Sequence, residues 1–309
     1  MQIIKPNSNF DFIGKNRIAV ILSLVMILTG FLSLALKGGP RYGVDFSGGL
    51  LVQVRFSVPI EPDRINDLLS GLKMESVTVQ QFGDSSNEFL IRSQHVPEDM
   101  AHFAEKVERV LKVGSGDEKI EILRREMVGP QVGKDLRIKG VKALLYAMAG
   151  VLIYICFRFE YRFGIAAMVA LAHDVLVTLA FLSIFGKEID LTVIAAMLAI
   201  IGYSINDTII IFDRIRENIG RQADESLPII VNQSINETMS RTILTSGTTL
   251  LVVLSLFFLG GDVIHGFAFT LLVGIIAGTY SSVFVAGALI LFWEKHRPKM
   301  SKRPAVEIG

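Results

Sequence analysis

The sequence of 309 residues contains little cysteine, little histidine and almost no net charge. Its one cysteine, Cys156, lies in an apolar run, so this chain alone can form neither a disulfide framework nor a cysteine metal site. The formal net charge of +1 gives no indication of nucleic-acid binding. The five histidines are scattered, and the sequence has no nucleophile elbow, phosphate loop or metal-ligand cluster. These absences argue against an enzyme and against a resident metal or cofactor.

Apolar residues, by contrast, are abundant. Hydrophobic residues make up 51% of the chain and charged residues only 20%. This composition is too apolar for an ordinary soluble protein, and it holds too many charges for a protein that lies entirely in a membrane. The sequence therefore predicts two parts, one in the membrane and one in water.

Six apolar runs have the length that a helix needs to cross the bilayer core. The first, at 18–36, follows a polar segment at 1–17. Because it is long for a signal peptide and ends at a poor cleavage site, it predicts a span that is retained. Residues 38–140 are soluble in character. The other five runs lie at 141–157, 163–185, 189–212, 242–259 and 264–293.

Lysine and arginine are concentrated in alternate short loops. They occur in the N-terminal segment, around Arg158 and Arg162, in the loop 214–241 and in the tail 294–309. By the positive-inside rule, these segments are cytoplasmic and residues 38–140 lie on the opposite side. The loop 214–241 is expected to form a partly amphipathic helix at the membrane interface, with a solvated linker as the alternative.

The water-exposed part alternates between strand and helix patterns. The sequence predicts strands at 50–56, 77–82, 89–93 and 120–127, helices at 59–72 and 97–112, and a turn at 83–87. The order strand, helix, strand, strand, helix, strand is typical of an α+β ferredoxin-like domain. One face of the second helix is expected to be apolar: Met100, Phe103, Ala104, Val107 and Val110.

Two charged residues indicate function: Asp207 in the fourth apolar run and Arg241 at the start of the fifth. An ionised aspartate in hydrocarbon costs about 2.5 to 3.5 kcal/mol, so Asp207 and its neighbour Asn206 are expected to face a bundle interior or a water path. If the spans end near Asp213 and begin near Asn236, Asp207 and Arg241 lie at matched depth, roughly 9 Å inside the cytoplasmic end. Their matched depth allows them to pair. Alternatively, both are interfacial and extend toward water.

Two further polar residues, His173 and Asp174, lie near the middle of the third run. A short aspartate cannot reach water from that depth, so the pair has either a buried structural role or a role as a proton relay. On the fifth run, Thr245 and Thr248 are expected to extend the polar face of Arg241. Small residues at four-residue spacing predict close helix packing: Ala195, Ala199, Gly274 and Gly278.

Glycine-rich motifs flank the water-exposed domain at 43–49 and 129–133. Either they form tight junctions in which glycines adopt positive φ and Asp45 caps backbone N–H groups, or they bind a ligand. Because glycines also permit large backbone changes, the domain is expected to move as a rigid body about these junctions. The residues concerned are Gly43, Asp45, Gly48, Gly49, Gly129, Pro130 and Gly133.

Taken together, these motifs resemble the SecF family of the bacterial protein export machinery. Residues 43–49 resemble the family's GVDFxGG motif, 129–133 its GPxVG motif, and 172–174 its AHD element. Residues 204–214 and 236–242 resemble its motifs in the fourth and fifth spans. The resemblance covers essentially the whole chain. A single outside domain of this size favours SecF over the related SecD, whose outside region is much larger.

The resemblance implies a membrane α-helical protein that is half of an RND-like assembly, with both termini in the cytoplasm and a periplasmic domain. In the inner membrane it would form a complex with SecD beside the SecYEG channel, with YajC as a further candidate partner. The complex would use the proton gradient to complete export of an unfolded polypeptide after the SecA ATPase has begun it. The resemblance implies that Asp207 and Arg241 carry proton coupling, and His173, Asp174 and Asn206 are further candidates.

Two other functions fit the sequence less well. Half of an RND-like exporter of lipids or small molecules is the first alternative. Such exporters carry two large outside loops and twelve spans on one chain, whereas this sequence predicts one loop and six spans. The second alternative, a purely structural scaffold, leaves Asp207, Arg241 and Asp174 unexplained.

Overall fold

The computed structural model describes residues 9–70, 77–82, 87–93, 100–114, 120–222 and 224–295. The chain divides into two compact units. Unit 1 comprises Met1–Gly39, Leu144–Gly186 and Ala195–Gly309, and unit 2 comprises Pro40–Ala143 and Lys187–Ile194. Much of the predicted N-terminal segment, most of the turn at 83–87, the predicted helix start at 97 and the tail beyond Lys295 lie outside the described residues.

Six helices of the described chain are long and apolar enough to cross a membrane, as the sequence predicts. They are α1 (Asn16–Leu36), α5 (Pro130–Arg158), α6 (Tyr161–Ile184), α7 (Leu191–Arg221), α8 (Leu227–Leu259) and a last span, Val263–Trp293. The last span consists of α9 (Asp262–Ser281), a π-helical turn (Ser282–Ala286) and α10 (Gly287–Lys295). The protein is therefore a multi-pass membrane protein.

The stretch 214–241 is mostly helical, as the expected amphipathic helix implies and unlike the alternative of a solvated linker, but it belongs to two long helices and is not a separate one. α7 continues to Arg221, and α8 begins at Leu227. The polar side chains of this stretch bond between the two helices: Asn218 Nδ2 donates to Ser234 Oγ at 3.0 Å and to Glu237 Oε2 at 2.8 Å. The polar residues of this stretch thus form the contact between two helices.

Close packing in unit 1 depends on glycine at two of the predicted positions. A Cβ at Gly274 would lie 2.1 Å from Ile200 Cδ1, and one at Gly278 would lie 2.9 Å from Ser204 Cβ. α9 and α7 therefore approach each other closely there. Ala195 and Ala199 do not serve this purpose within the chain, because they lie on the exposed face of α7.

Unit 2 contains a four-stranded antiparallel sheet with the order β2-β3-β1-β4. The strands are β1 (Gly49–Phe56), β2 (Val77–Gln81), β3 (Glu88–Ser93) and β4 (Ile120–Val128), and the helices are α3 (Pro62–Ser70) and α4 (Met100–Gly114). The chain order β1-α3-β2-β3-α4-β4 with this strand order is the predicted ferredoxin-like arrangement.

One face of this sheet carries the core of unit 2. Alternate residues of β1 pack with side chains of β3, α3 and α4: Leu50, Val52, Val54, Phe56, Phe89, Ile91, Ile65, Leu69, Val107 and Leu111. The predicted apolar face of α4 is correct at Val107. One turn on, however, Leu111 is fully buried and Val110 only partly, because the helix is rotated relative to the expected face. The other side chains predicted for this face lie outside the described residues.

The two glycine motifs pack against each other inside unit 2. A short helix, α2 (Val44–Ser47), ends at Gly48, whose φ is +74° and whose added Cβ would lie 2.7 Å from Pro130 Cα. A Cβ at Gly133 would lie 2.9 Å from the Gly48 backbone nitrogen. Asp45 Oδ2 accepts a hydrogen bond from the Leu191 backbone N–H at 3.0 Å. Close backbone approach therefore explains the glycines at 48 and 133.

The remaining motif residues complete the same junction. The Gly43 N–H donates to the Ile189 carbonyl at 2.9 Å, and Gly49 begins β1 with φ +119°. The Gly133 N–H donates to the Gly129 carbonyl at 2.9 Å, which closes the first turn of α5 behind Pro130. Proline suits this first helical position because its missing N–H would have no partner there.

Candidate functional site

Two aspartates are buried inside the spans of unit 1, each with only 1% of its surface exposed. Asp207 lies on α7, where its Oδ2 accepts a hydrogen bond from Ser246 Oγ of α8 at 3.3 Å. Ser246 Oγ lies 2.8 Å from Thr279 Oγ1 of α9. The acid is thus the end of a short hydrogen-bonded chain of hydroxyl groups from α8 and α9.

Helical periodicity explains why these residues meet. On α7, Ser204, Asp207 and Thr208 are buried on one side, and on α8 Thr242 and Ser246 are buried one turn apart. The Ser/Thr pattern on α8 was visible in the sequence at 238, 242 and 246. Without the structure, nothing distinguished this face from the face that carries Arg241.

Arg241 does not form the direct ion pair that the matched depths suggested. It is exposed, and no salt bridge joins it to Asp207 in the part of the chain that the structure describes, although its charge still interacts with the acid electrostatically. The reason is rotational: adjacent residues on a helix point about 100° apart, so Thr242 faces the bundle and Arg241 does not. Thr245 and Thr248, predicted to extend the stripe, bond to carbonyls of their own helix.

Asn206 lies on a different face of α7 from the buried acid, about 100° away around the helix. Its side chain is exposed, and it has no hydrogen bond among the described residues. Of the two expected surroundings, a bundle interior or a water path, Asn206 does not lie in the interior formed by the described helices of this chain. An amide on the outer surface of a span is costly against lipid, so this position favours a contact with another polypeptide.

The second aspartate, Asp174 on α6, is the centre of a separate polar cluster. Ser204 Oγ donates to its Oδ2 at 2.5 Å, and His173 Nδ1 lies 3.1 Å from its Oδ1. His173 Nε2 lies 2.9 Å from Ser23 Oγ on α1. The Tyr280 hydroxyl accepts from Ser23 and donates to a backbone carbonyl of α1 at 2.6 Å. The pair predicted from the sequence is thus fully enclosed by hydrogen bonds between four helices.

A short segment of the last span touches both clusters. Thr279 bonds to the Asp207 cluster, Tyr280 to the Asp174 cluster, and Ser282 to Thr208 of α7 at 2.8 Å. Ser282 begins the π-helical turn, a form of helix that is rare and is often found at functional sites. Sequence reasoning did not identify these residues, because single hydroxyl groups in an apolar run give little signal.

The described residues contain no group of three or more His, Cys, Asp or Glu side chains that could hold a metal ion. The site therefore consists of two buried acids, one histidine and several hydroxyl groups. Such groups can hold and pass protons.

Comparison with known proteins gives consistent results. The model of the family "Protein export membrane protein SecD/SecF, C-terminal" matches residues 107–296, and the SecD/SecF GG motif matches 34–60. The protein translocase subunit SecF of Calditerrivibrio nitroreducens is 46% identical over 94% of this chain and 96% of its own length. SecF of Escherichia coli O157:H7 is 39% identical over 97% of this chain and 93% of its own length.

A solved structure is also similar. SecDF of Thermus thermophilus, described as a translocon-associated membrane protein, matches with a TM-score of 0.83 and 35% identity over 94% of this chain. This chain spans 39% of the length of that solved chain. The remaining part of the solved chain has no counterpart here.

Proposed function

Because this chain belongs to the SecD/SecF family of protein export membrane proteins, we propose that it is a SecF-type accessory subunit of the Sec protein translocase. In a complex with SecD, it uses the proton motive force to promote protein export across the cytoplasmic membrane after SecA-driven translocation. The SecYEG channel and YajC are further partners, and an unfolded polypeptide is the substrate. The protein lies in the bacterial inner membrane with both termini cytoplasmic and unit 2 facing the periplasm.

The observation that carries the proton-coupling part of this proposal is the burial of Asp207 among hydroxyl groups. Proton binding by a buried acid depends on its burial and on the distance of charged neighbours such as Arg241. A rearrangement that alters either influence changes proton binding, and a tenfold change corresponds to about 1.4 kcal/mol. One proton that crosses the electrical potential releases about 2.3 kcal/mol per 100 mV, so a modest change suffices for coupling.

His173 and Asp174 are the second candidate site. Their cluster is hydrogen-bonded through Ser204 to α7, the helix that carries Asp207. A movement of α7 would therefore alter this cluster, whether its role is proton relay or structural bonding. Substitutions that separate the two roles are given in the Discussion.

An exposed face of α7 supports the association with SecD. Four residues along it are exposed and small or polar: Ala195, Ala199, Gly202 and Asn206. Small residues let a second helix approach closely, and an amide can bond across such an interface. This face is where we place the helix of the SecD partner.

Gly202→Leu should reduce the amount of SecD that copurifies in mild detergent, because a bulky side chain on this face blocks close helix approach. Nothing lies within 4 Å of a Cβ added at Gly202, so the substitution leaves the interior of this chain undisturbed. Gly150→Leu on α5 is a matched control, because Gly150 is equally open, and it should retain SecD. If the wild-type chain recovers no SecD or SecYEG at all, the proposed function fails. Equal recovery by both variants rejects only this interface.

Function is expected to require motion of unit 2. Gly38 and Gly39 immediately precede it, with φ of +74° and +122° and no atom within 4 Å of an added Cβ. These two positions are better placed for a hinge than the closely packed motif glycines. The expected motion of the domain about its junctions thus remains a prediction.

Crosslinking unit 2 to the membrane helices through an engineered cysteine pair should stop gradient-dependent export, and reduction should restore it. The native Cys156 is exposed and should first be replaced by serine. A cysteine pair within unit 2 controls for the chemistry and should leave export unchanged. Full export in the crosslinked state would contradict the requirement for motion.

A further inference from the structure

Thr242 on α8 has an unexplained hydroxyl group. Its side chain is 1% exposed, and its Oγ1 is buried without a hydrogen-bond partner among the described residues. Buried polar groups are almost always paired, so an unpaired one requires a reason. Threonines of the same helix show the usual solution: Thr238 and Thr249 bond to backbone carbonyls of the preceding turn. Thr242 does not use it.

The position of Thr242 relates it to the buried acid. Thr242 and Ser246 are one helical turn apart on the buried face of α8, which places them about 6 Å apart along the helix axis. Ser246 is the group that holds Asp207. The neighbour of Thr242 in sequence is Arg241, so Thr242 lies on the turn that carries the positive charge.

The hydrogen bond between Asp207 and Ser246 is a long one. At 3.3 Å it is longer than the usual 2.7 to 2.8 Å between two oxygens. A serine hydroxyl has one proton, and Thr279 lies 2.8 Å from the same oxygen, closer than Asp207. Ser246 therefore has a second partner when the acid leaves.

We propose that Thr242 is a second hydrogen-bond partner of Asp207, and that the carboxyl group of Asp207 alternates between Ser246 and Thr242 during coupling. In the Thr242 position the acid lies one turn along α8 from Ser246, on the turn of Arg241. Thr242 acts as a positioning residue: its O–H bond stays intact, and the transported proton remains on or leaves Asp207. This inference rests on the proposed coupling role of Asp207.

Thr242→Val tests the proposal directly, because valine has the shape of threonine without the hydroxyl. In this structure the hydroxyl has no partner, so its removal should leave thermal stability unchanged or slightly higher. Gradient-dependent export should nevertheless fall roughly tenfold or more, as expected for loss of a hydrogen bond to a charged group. Thr242→Ser restores the hydroxyl and should retain coupling.

A matched control is available one turn earlier on the same face. Thr238 bonds only to carbonyls of its own helix, so Thr238→Val should keep gradient-dependent export. Infrared difference spectroscopy adds a second measurement, the carboxyl band of Asp207, which would not change if Thr242 had only a structural role. The carboxyl band assigned by its absence in Asp207→Asn should change in Thr242→Val and remain as in wild type in Thr238→Val.

The outcomes separate the two claims. Wild-type export and an unchanged carboxyl band in a folded Thr242→Val protein overturn the proposal, as does a clear loss of stability, which would show that the hydroxyl is bonded in the resting fold. If Asp207→Asn itself keeps gradient dependence, the proposed coupling function fails. If Asp207→Asn loses it and Thr242→Val does not, only the role of Thr242 fails.

Discussion

Asp207→Asn should reduce protein export to the level measured without a proton gradient, while the protein stays folded and bound to SecD. Asparagine has nearly the same shape and can still accept a hydrogen bond from Ser246 through its Oδ1. It cannot take up or release a proton in the relevant range. The side chain that is replaced is only 1% exposed. The loss should therefore be confined to the gradient-dependent component.

The measurement compares export into inverted membrane vesicles with and without a gradient, at fixed SecA and ATP. SecA-driven export should survive in the variant. Arg241→Met should lose the same component, because it removes the charge that acts on Asp207. Asp213→Asn is the matched control: this aspartate lies on the same helix but is 39% exposed and pairs with Arg158. It should retain gradient dependence.

Wild-type dependence on the gradient in normally expressed Asp207→Asn membranes would make Asp207 structural. In that case the proton-coupling role fails even though the family membership stands. Loss of gradient dependence in the Asp213→Asn control as well would mean that the assay reports general damage to α7 and not proton coupling.

Asp174→Leu should destabilise the membrane unit by about 2 to 6 kcal/mol, because two buried donors lose their acceptor at about 1 to 3 kcal/mol each. Leucine has the same branched outline, although it is larger, and it accepts no hydrogen bond. The hydroxyl of Ser204 and the ring of His173 would then lose their acceptor in a buried place. Thermal unfolding in detergent, followed by circular dichroism at the helix signal, measures the change.

Two further variants interpret that result. Ser204→Ala removes only one donor and should cost about 1 to 2 kcal/mol, and the double variant should be less destabilised than the sum, because the two residues share a bond. Additive effects would contradict the bond between them. Asp174→Asn keeps acceptor capacity and should keep the fold. Loss of gradient-dependent export in Asp174→Asn would assign the relay role, and its retention would assign a structural one.

The sequence by itself determined the architecture of this protein. A bilayer demands long apolar helices, so the number of spans could be counted, and the alternation of strand and helix periods gave the ferredoxin-like order of unit 2. It also identified Asp174 and Asp207, because a short acid in an apolar run cannot avoid burial. These inferences depend only on local pattern and on the cost of charge in hydrocarbon.

The tertiary structure alone decided which groups these acids meet. Asp207 meets Ser246, which lies about 7.5 Å along the axis of α8 from Arg241, and the rotation of α8 turns Thr242 and Ser246 inward. A rotation of α4 likewise explains why Leu111, and not the predicted Val110, is fully buried in the core of unit 2. Periodicity defines a helix face only to within a residue, whereas adjacent residues point about 100° apart. The partner of a buried side chain depends on the rotation of its helix. That rotation is set by packing against neighbouring helices that are far away in the sequence.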